Sequence, residues 1–307
     1  MWGRLVMNDL LFELPLPEFF DLGACLAYMN RSPLECLFRS DEEGVNRLFI
    51  LEGAPSLVRL TVAQEQPPRL QVTLLTGAVP GAESIADLAR YIVEWFDLDR
   101  DLAPFYRLSE ADPLLQPLTV SERGLRIIGI PDLFEALCWA ILGQQVNLAF
   151  AYRLKQRLTE EYGESLEWEG HTYYHFPAPE TFLTVTQEEL CALQLTRNKA
   201  RTVLEVATLI AGGGLSREEL LALPTPEAAE QRLLKLRGIG PWTSQYVRMR
   251  CLRDTTAFPI GDVGLQNVVK FLTGMDRKPT PAELLELAVP WRGWEAYATL
   301  YLWRALY

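Results

Sequence analysis

The chain has 307 residues, of which 49% are hydrophobic, and it carries 29 Lys and Arg against 40 Asp and Glu, a formal net charge of −11. The length and apolar content support a sizeable core and exclude a long disordered chain. The acidic balance argues against a broad basic surface for nucleic acid, so any phosphate-binding face must be small.

The first part of the chain predicts an antiparallel sheet with one or two helices. Period-two alternation at residues 56–62 and 70–75 surrounds a Gln-Pro-Pro turn, and residues 47–51 add a further strand. A helix is expected between Phe19 and Met29. A glycine- and proline-rich boundary at residues 77–81 ends this region, and we therefore divide the chain into a sheet domain (residues 1–83) and a helical domain (residues 84–307).

The helical part begins with an apolar segment at residues 133–142, which is spaced for a buried helix and interrupted at Gly143. Further on, His171 and His175 have the spacing of a metal-binding pair on a helix. Gly170 and Pro177 favour an extended segment instead, in which the two side chains would stand roughly 13 Å apart. We therefore predict no metal site there.

Residues 232–252 predict two helices joined by a tight Gly-Ile-Gly turn. Gly238 and Gly240 give the turn its freedom, and Pro241 suits the first turn of a new helix. Such a turn presents backbone N–H groups at a helix N-terminus, where a phosphate is favoured. Residues 232–253 also contain six basic residues and no acidic one. In the alternative interpretation the glycines merely link two packed helices and the arginines form a solvated face.

Two features near this hairpin allow both a structural and a chemical interpretation. Asp262 precedes an apolar helical pattern at residues 265–272, where an aspartate commonly caps a helix, yet a carboxylate there could also act on a substrate. Trp242 and Tyr246 are four residues apart and share one helix face. Such a pair packs in a core or receives a planar ligand.

The combined motifs resemble the helix-hairpin-helix (HhH-GPD) DNA glycosylases, and within them the DNA-3-methyladenine glycosylase II family. The resemblance covers residues 85–307, and it is carried by these segments: Leu-Arg-Gly-Ile-Gly-Pro-Trp-Thr-Ser-Gln-Tyr (236–246), Phe-Pro-Ile-Gly-Asp-Val-Gly-Leu-Gln (258–266), Ala-Ile-Leu-Gly-Gln-Gln-Val-Asn (140–147), Arg-Asn-Lys-Ala-Arg (197–201) and Pro-Trp-Arg-Gly-Trp-Glu-Ala-Tyr (290–297).

The resemblance implies an α+β fold, in which an N-terminal antiparallel sheet domain precedes an all-α domain with a cleft between two helical subdomains. It implies that Asp262 is catalytic and that Trp242, Tyr246 and Trp294 form the base pocket. The residues it assigns to DNA binding are Gly238, Ile239, Gly240, Thr243, Arg237, Lys199 and Gln145, the last as a wedge that fills the gap left by an everted base.

The implied activity is that of a monofunctional enzyme of base excision repair, which hydrolyses alkylated bases such as 3-methyladenine and 7-methylguanine from duplex DNA. Strand-cutting relatives carry a nucleophilic lysine where this chain has Trp242, so water is the expected nucleophile. The alternatives are a glycosylase for oxidised or deaminated bases and a noncatalytic hairpin module that senses damage.

The number and spacing of the cysteines indicate which cofactors to expect and in which cellular compartment the protein acts. The five cysteines are scattered and odd in number, which predicts reduced thiols and no iron–sulfur cluster. The resemblance allows a structural monovalent cation at the hairpin and no other cofactor. No signal pattern and no long apolar run is present, so we expect a cytoplasmic, nucleoid-associated monomer that acts on double-stranded DNA and not at a membrane.

Overall fold

The computed structural model describes residues 9–63 and 66–306, and it has a sheet followed by a mainly helical region. The strands are β1 (Asp9–Pro15), β2 (Phe38–Ser40), β3 (Gly44–Leu51), β4 (Ala54–Ala63), β5 (Arg69–Thr76), β6 (Ser165–Trp168) and β7 (His171–Tyr174). The helices are α1 (Leu22–Met29), α2 (Ala82–Trp95), α3 (Ala103–Glu110), α4 (Leu115–Ser121), α5 (Leu133–Gly143), α6 (Leu148–Tyr162), α7 (Gln187–Ala192), α8 (Arg197–Ala211), α9 (Arg217–Leu221), α10 (Pro226–Leu234), α11 (Pro241–Arg250), α12 (Val263–Thr273), α13 (Pro281–Leu287) and α14 (Glu295–Arg304). The predicted α+β class is confirmed.

The five-stranded sheet is antiparallel with the order β1-β5-β4-β3-β2. The predicted strands correspond to β3, β4 and β5, and alternate residues of β5 (Leu70, Val72 and Leu74) are buried as the period-two pattern requires. The two outer strands were not predicted. β1 has no clear alternation, and β2 has only three residues.

The helical region contains one exception to the predicted all-α character, the hairpin of β6 and β7. Its Trp168 and Tyr173 pack with Leu48, Leu57 and Leu75 on the sheet. His171 lies in β7, so the expected extended backbone is confirmed at that histidine.

The sheet and the helices share one continuous apolar core. Two buried ion pairs join the N-terminal region to later helices: Arg47 of β3 contacts Glu135 of α5 at 3.0 Å, and Lys155 of α6 contacts Glu35, in the segment between α1 and β2, at 2.9 Å. A charge that loses its partner in such a pair costs about 3–5 kcal/mol. The division at residue 83 stays a prediction, since no gap in packing accompanies it.

Membrane insertion can be judged from the helices. Within residues 9–63 and 66–306, no helix is both long enough and apolar enough to cross a bilayer.

Candidate active site

Asp262 lies at the start of α12 and is held by three N–H donors. Its Oδ1 accepts from the Leu265 backbone N–H at 2.7 Å and from Trp303 Nε1 at 3.0 Å. Its Oδ2 accepts from Trp242 Nε1 at 2.9 Å. The side chain is therefore a helix cap and also the meeting point of two indoles, so the capping interpretation and the chemical one coexist.

An aromatic row extends from this carboxylate into the protein. The ring of Trp242 stacks on that of Tyr246 with centroids 5.5 Å apart, and Trp303 lies 6.3 Å from Tyr246. The Tyr246 hydroxyl accepts from Trp139 Nε1 and from Arg250 Nη1, both at 2.7 Å. These two donors fix the Tyr246 ring, so the aromatic side chains beside Asp262 are held in defined positions.

Among the described residues, no ring contact joins Trp294 to Trp242, Tyr246 or Trp303, so its place in the base pocket stays a prediction. The Trp294 ring packs on Phe105 at 5.9 Å and on Tyr297 at 5.8 Å. Trp294 caps the beginning of α14, whereas Trp303 is nine residues further along that helix, a rise of roughly 13 Å. Trp303 was not predicted, because no local motif marks it and its contact with Asp262 spans 41 residues.

The turn between α10 and α11 has the conformation that the glycines suggested. Gly238 has a φ of +76°, and a Cβ on it would lie 2.3 Å from the Thr202 hydroxyl oxygen of α8. Ile239 is buried, and Gly240 caps α11, which begins at Pro241. Only glycine combines this backbone and this close approach at position 238, and the turn keeps its backbone near the surface.

The loop after α5 (residues 144–147, here the wedge loop) is tied to this turn. Gln144 Nε2 donates to the Gly238 carbonyl and to the Thr243 hydroxyl, both at 2.9 Å. The next residue, Gln145, is exposed and has a φ of +54°, an uncommon backbone for a side chain other than glycine. Gln144 is thus anchored to the turn, whereas the side chain of Gln145 is exposed.

Lys199, predicted to contact DNA, is buried on α8, and its Nζ donates to the Leu142 carbonyl at 2.7 Å. Burial lowers the pKa of this ammonium below its usual value. Its visible role is to hold the end of α5 just before the wedge loop.

Most of the basic residues around the hairpin bind within the protein. Arg248 pairs with Glu230 and Asp254, and Arg250 donates to the Ile128 carbonyl. Arg253 and Arg232 also have carboxylate partners. Arg237 and Lys235 are exposed, and the Arg237 guanidinium is 3.8 Å from Glu205. The local excess of basic residues is therefore largely structural, and the surface open to phosphate is small.

Metal-binding groups are not gathered at the site. Across the described ranges, no cluster of three or more His, Cys, Asp or Glu could hold an ion, and the five cysteines are free thiols. A monovalent cation would have to use hairpin carbonyl oxygens, of which that of Gly238 already accepts from Gln144. The cation stays a prediction.

Comparison with known proteins identifies the family. Residues 138–292 match the model for the HhH-GPD superfamily base excision DNA repair protein, and residues 43–137 match that for the 8-oxoguanine DNA glycosylase N-terminal domain. The chain is 46% identical over 302 residues to a DNA-3-methyladenine glycosylase of Bacillus subtilis, covering 98% of both. This chain belongs to the HhH-GPD superfamily. It is also 29% identical to DNA-3-methyladenine glycosylase 2 of Escherichia coli, over 76% of each chain.

Solved structures of two DNA glycosylases share the fold. A 3-methyladenine DNA-glycosylase from Archaeoglobus fulgidus superposes with a TM-score of 0.82 at 23% identity, covering 95% of this chain and 97% of that one. An 8-oxoguanine glycosylase/lyase from Clostridium acetobutylicum, in complex with double-stranded DNA, gives 0.71 at 18% identity and covers 98% of each. At these identities the likeness establishes the architecture, including the sheet, and not the substrate.

Proposed function

We propose that this protein is a monofunctional DNA glycosylase of base excision repair that releases alkylated bases, such as 3-methyladenine and 7-methylguanine, from duplex DNA. The observation that supports this proposal most directly is that Asp262 is half-buried and is held by three N–H donors beside an aromatic row. The Bacillus relative, which matches along nearly the whole chain, bears the name of that activity.

The mechanism assigned to Asp262 is electrostatic. Cleavage of an N-glycosidic bond builds positive charge on the sugar, and a preoriented carboxylate stabilises that charge without reorganising. Oδ1 accepts two N–H groups, whereas Oδ2 accepts, from the residues that the structure describes, only that of Trp242. Oδ2 therefore keeps an acceptor position that can orient a water molecule and receive its proton.

The nucleophile in this proposal is water because α11, the second helix of the hairpin, offers no amine. The family resemblance assigns Trp242 the position of the lysine in strand-cutting relatives, and the indole N–H of Trp242 donates to Asp262. A side chain without a nucleophilic nitrogen cannot form a Schiff base with the sugar. The reaction should stop at an intact strand with an abasic site.

Binding of the base is assigned to Trp242, Tyr246 and Trp303, with Trp303 in place of Trp294. A purine alkylated on a ring nitrogen is cationic, and an aromatic face attracts such a cation by about 1–2 kcal/mol once both are desolvated. The same charge weakens the glycosidic bond. Aromatic capture and lesion reactivity therefore favour the same substrates.

The duplex is the proposed partner, and the protein is proposed to act on it as a monomer in the nucleoid. The exposed turn at Gly238 and the capping Gly240 would offer backbone N–H groups to a phosphate, and the exposed Arg237 would add charge. Gln145 is the proposed wedge. Thr243, buried and bonded to Gln144, and Lys199, buried under the loop, would act by positioning.

The experiment that tests this function is base release from methylated duplex DNA, followed by chromatography of the free bases and by gel analysis of the strand with and without hot alkali. We expect 3-methyladenine or 7-methylguanine in the supernatant and strand breaks only after alkali. Breaks without alkali would contradict the monofunctional assignment. Absence of any released base would reject the alkylbase activity.

The link between the wedge loop and the hairpin gives a second expected result. Gln144→Ala removes two hydrogen bonds, each worth about 1 kcal/mol, while leaving Gln145 in place. We expect base release in single turnover to fall about 10-fold, because the wedge is no longer held in register with the turn.

The matched control is Gln156→Ala, since Gln156 is a half-buried glutamine of α6 whose side chain bonds only to Glu160 within the described chain. It should release bases at the parental rate. Equal rates for the two variants would mean that the Gln144 contacts do not position the wedge.

A further inference from the structure

The segment between α11 and α12 (residues 251–262, here the aspartate loop) carries Asp262 to the site. Its last part is a series of tight turns: the Ile260 N–H donates to the Phe258 carbonyl, and the Asp262 N–H donates to the Pro259 carbonyl, both at 2.8 Å. Phe258 is buried and precedes Asp262 by four residues. The position of Phe258 therefore determines where Asp262 begins α12.

The helix α11 holds the aspartate loop at two points. Trp242, in the first turn of this helix, donates to Asp262 Oδ2 at 2.9 Å. Gln245, three residues later, accepts from the Phe258 backbone N–H through its Oε1 at 2.8 Å. Because these contacts lie at the two ends of one short stretch of chain, α11 sets the position of the carboxylate relative to its own aromatic rings.

The half-buried side chain of Gln245 is also held from its other end. Its Nε2 donates to Glu230 Oε2 of α10 at 2.9 Å, and the same oxygen accepts from Arg248 Nη1 at 2.6 Å. A reversed amide would set its carbonyl against the Glu230 carboxylate and its amino group against the Phe258 N–H, so one orientation alone satisfies both neighbours. Gln245 thus connects the first helix of the hairpin to the aspartate loop.

Arg248 attaches the beginning of the aspartate loop to the same polar cluster. Its Nη2 lies 2.6 Å from Asp254 Oδ2 and donates to Thr256 Oγ1 at 3.2 Å. Removal of this buried guanidinium would take the charged partner from Glu230 and Asp254 and destabilise the fold. Gln245 is neutral, so it can be replaced without that penalty.

We propose that Gln245 is a positioning residue for base release, which holds Phe258 and so places the Asp262 carboxylate for its action on the sugar. This inference rests on the proposed glycosylase function, and it assigns Gln245 no contact with the substrate. Misplacement of a reacting group by about 1 Å can slow a reaction about 100-fold. Loss of Gln245 should therefore slow the cleavage step, whereas duplex binding, assigned to the hairpin turn and the wedge loop, should be retained.

The test measures single-turnover release of 7-methylguanine from methylated duplex DNA at increasing enzyme concentration, which separates the maximal rate from the half-saturating concentration. Gln245→Leu is similar in size and has no hydrogen-bonding group. Gln245→Glu keeps an acceptor for Phe258 but places a second carboxylate against Glu230. The matched control is Gln231→Leu, at an exposed glutamine of α10. Thermal unfolding is recorded for every variant, and release is measured below the lowest unfolding midpoint.

For Gln245→Leu we expect the maximal rate to fall about 5-fold, because three N–H donors still hold the carboxylate and its shift is partial. The half-saturating concentration should stay within about 2-fold, and Gln231→Leu should match the parental protein. Gln245→Glu should be slow as well. The exchanged pair, Glu230→Gln with Gln245→Glu, again sets one amide against one carboxylate and should release bases faster than Gln245→Glu alone.

A double variant shows whether Gln245 acts through Asp262. Added to Asp262→Asn, Gln245→Leu should lower the remaining release by less than about 2-fold, because the group that Gln245 places is already missing. A role confined to the stability of the fold predicts the same fold-loss in both backgrounds.

Four results would overturn the positioning role while leaving the glycosylase function standing: a parental maximal rate for Gln245→Leu, a loss confined to the half-saturating concentration, equal losses with and without Asp262, or an exchanged pair no faster than Gln245→Glu. Release of no base by the parental protein would overturn both the positioning role and the proposed function.

Discussion

Asp262→Asn is expected to lower base release by about 100-fold or more, the usual effect of removing one preorganised electrostatic group from an active site. The substitution removes the negative charge that would face the sugar. It also places an amide N–H₂ where Trp242 or Trp303 donates, which disturbs the orientation. Affinity for undamaged duplex should stay within about 3-fold, since the hairpin is unchanged.

The measurements are single-turnover release from methylated duplex and binding to an unmodified duplex, with Asp276→Asn as a control for the loss of an exposed carboxylate. Equal release by parental protein and Asp262→Asn would remove Asp262 from the mechanism. Duplex binding without base release in the parental protein as well would favour the noncatalytic damage sensor.

The two indole donors to Asp262 give the second large effect. Trp242→Phe and Trp303→Phe each keep an aromatic face and delete one N–H, to Oδ2 and Oδ1 respectively. Hydrogen bonds to a charged group contribute about 1.5–3 kcal/mol, so each variant should release bases about 10-fold more slowly than the parental protein. The same release assay, run at saturating enzyme, measures the cleavage step apart from binding.

Trp294→Phe is the matched control, because Trp294 lies at the other end of α14 and its ring contacts Phe105 and Tyr297. It should change release less than about 2-fold. A loss for Trp294→Phe with none for Trp303→Phe would return Trp294 to the pocket and refute the arrangement derived from the geometry.

Local sequence patterns predicted those elements that depend on residues close together in the chain. The alternation in β4 and β5, the turn at Gly238, the helix start at Pro241 and the cap at Asp262 all depend on residues within a few positions of each other. The family resemblance then indicated that the capping residue, Asp262, is also a candidate catalytic carboxylate.

Contacts between residues far apart in the chain could not be predicted from such local patterns. Trp303 reaches Asp262 across 41 residues, and no periodicity marks which of the tryptophans in the C-terminal segment does so. Arg248 and Arg250 look like a DNA-binding face in the sequence, yet they are buried, with protein acceptors. Burial of a charge depends on tertiary partners, which a linear reading of charge does not contain.

The buried ion pairs Arg47–Glu135 and Lys155–Glu35 join β3 and the segment before β2 to the helices, and separating either pair would leave a buried charge unpaired, which opposes closure of the protein around its ligand. A receptor that cannot deform leaves the deformation to the nucleic acid. Damaged and undamaged positions would then differ mainly in the free energy needed to unstack the base from the duplex. That cost is a few kcal/mol and is smallest at weakly paired positions. Instability of the DNA duplex around a lesion would accordingly select damaged positions first, before any protein side chain contacts the base.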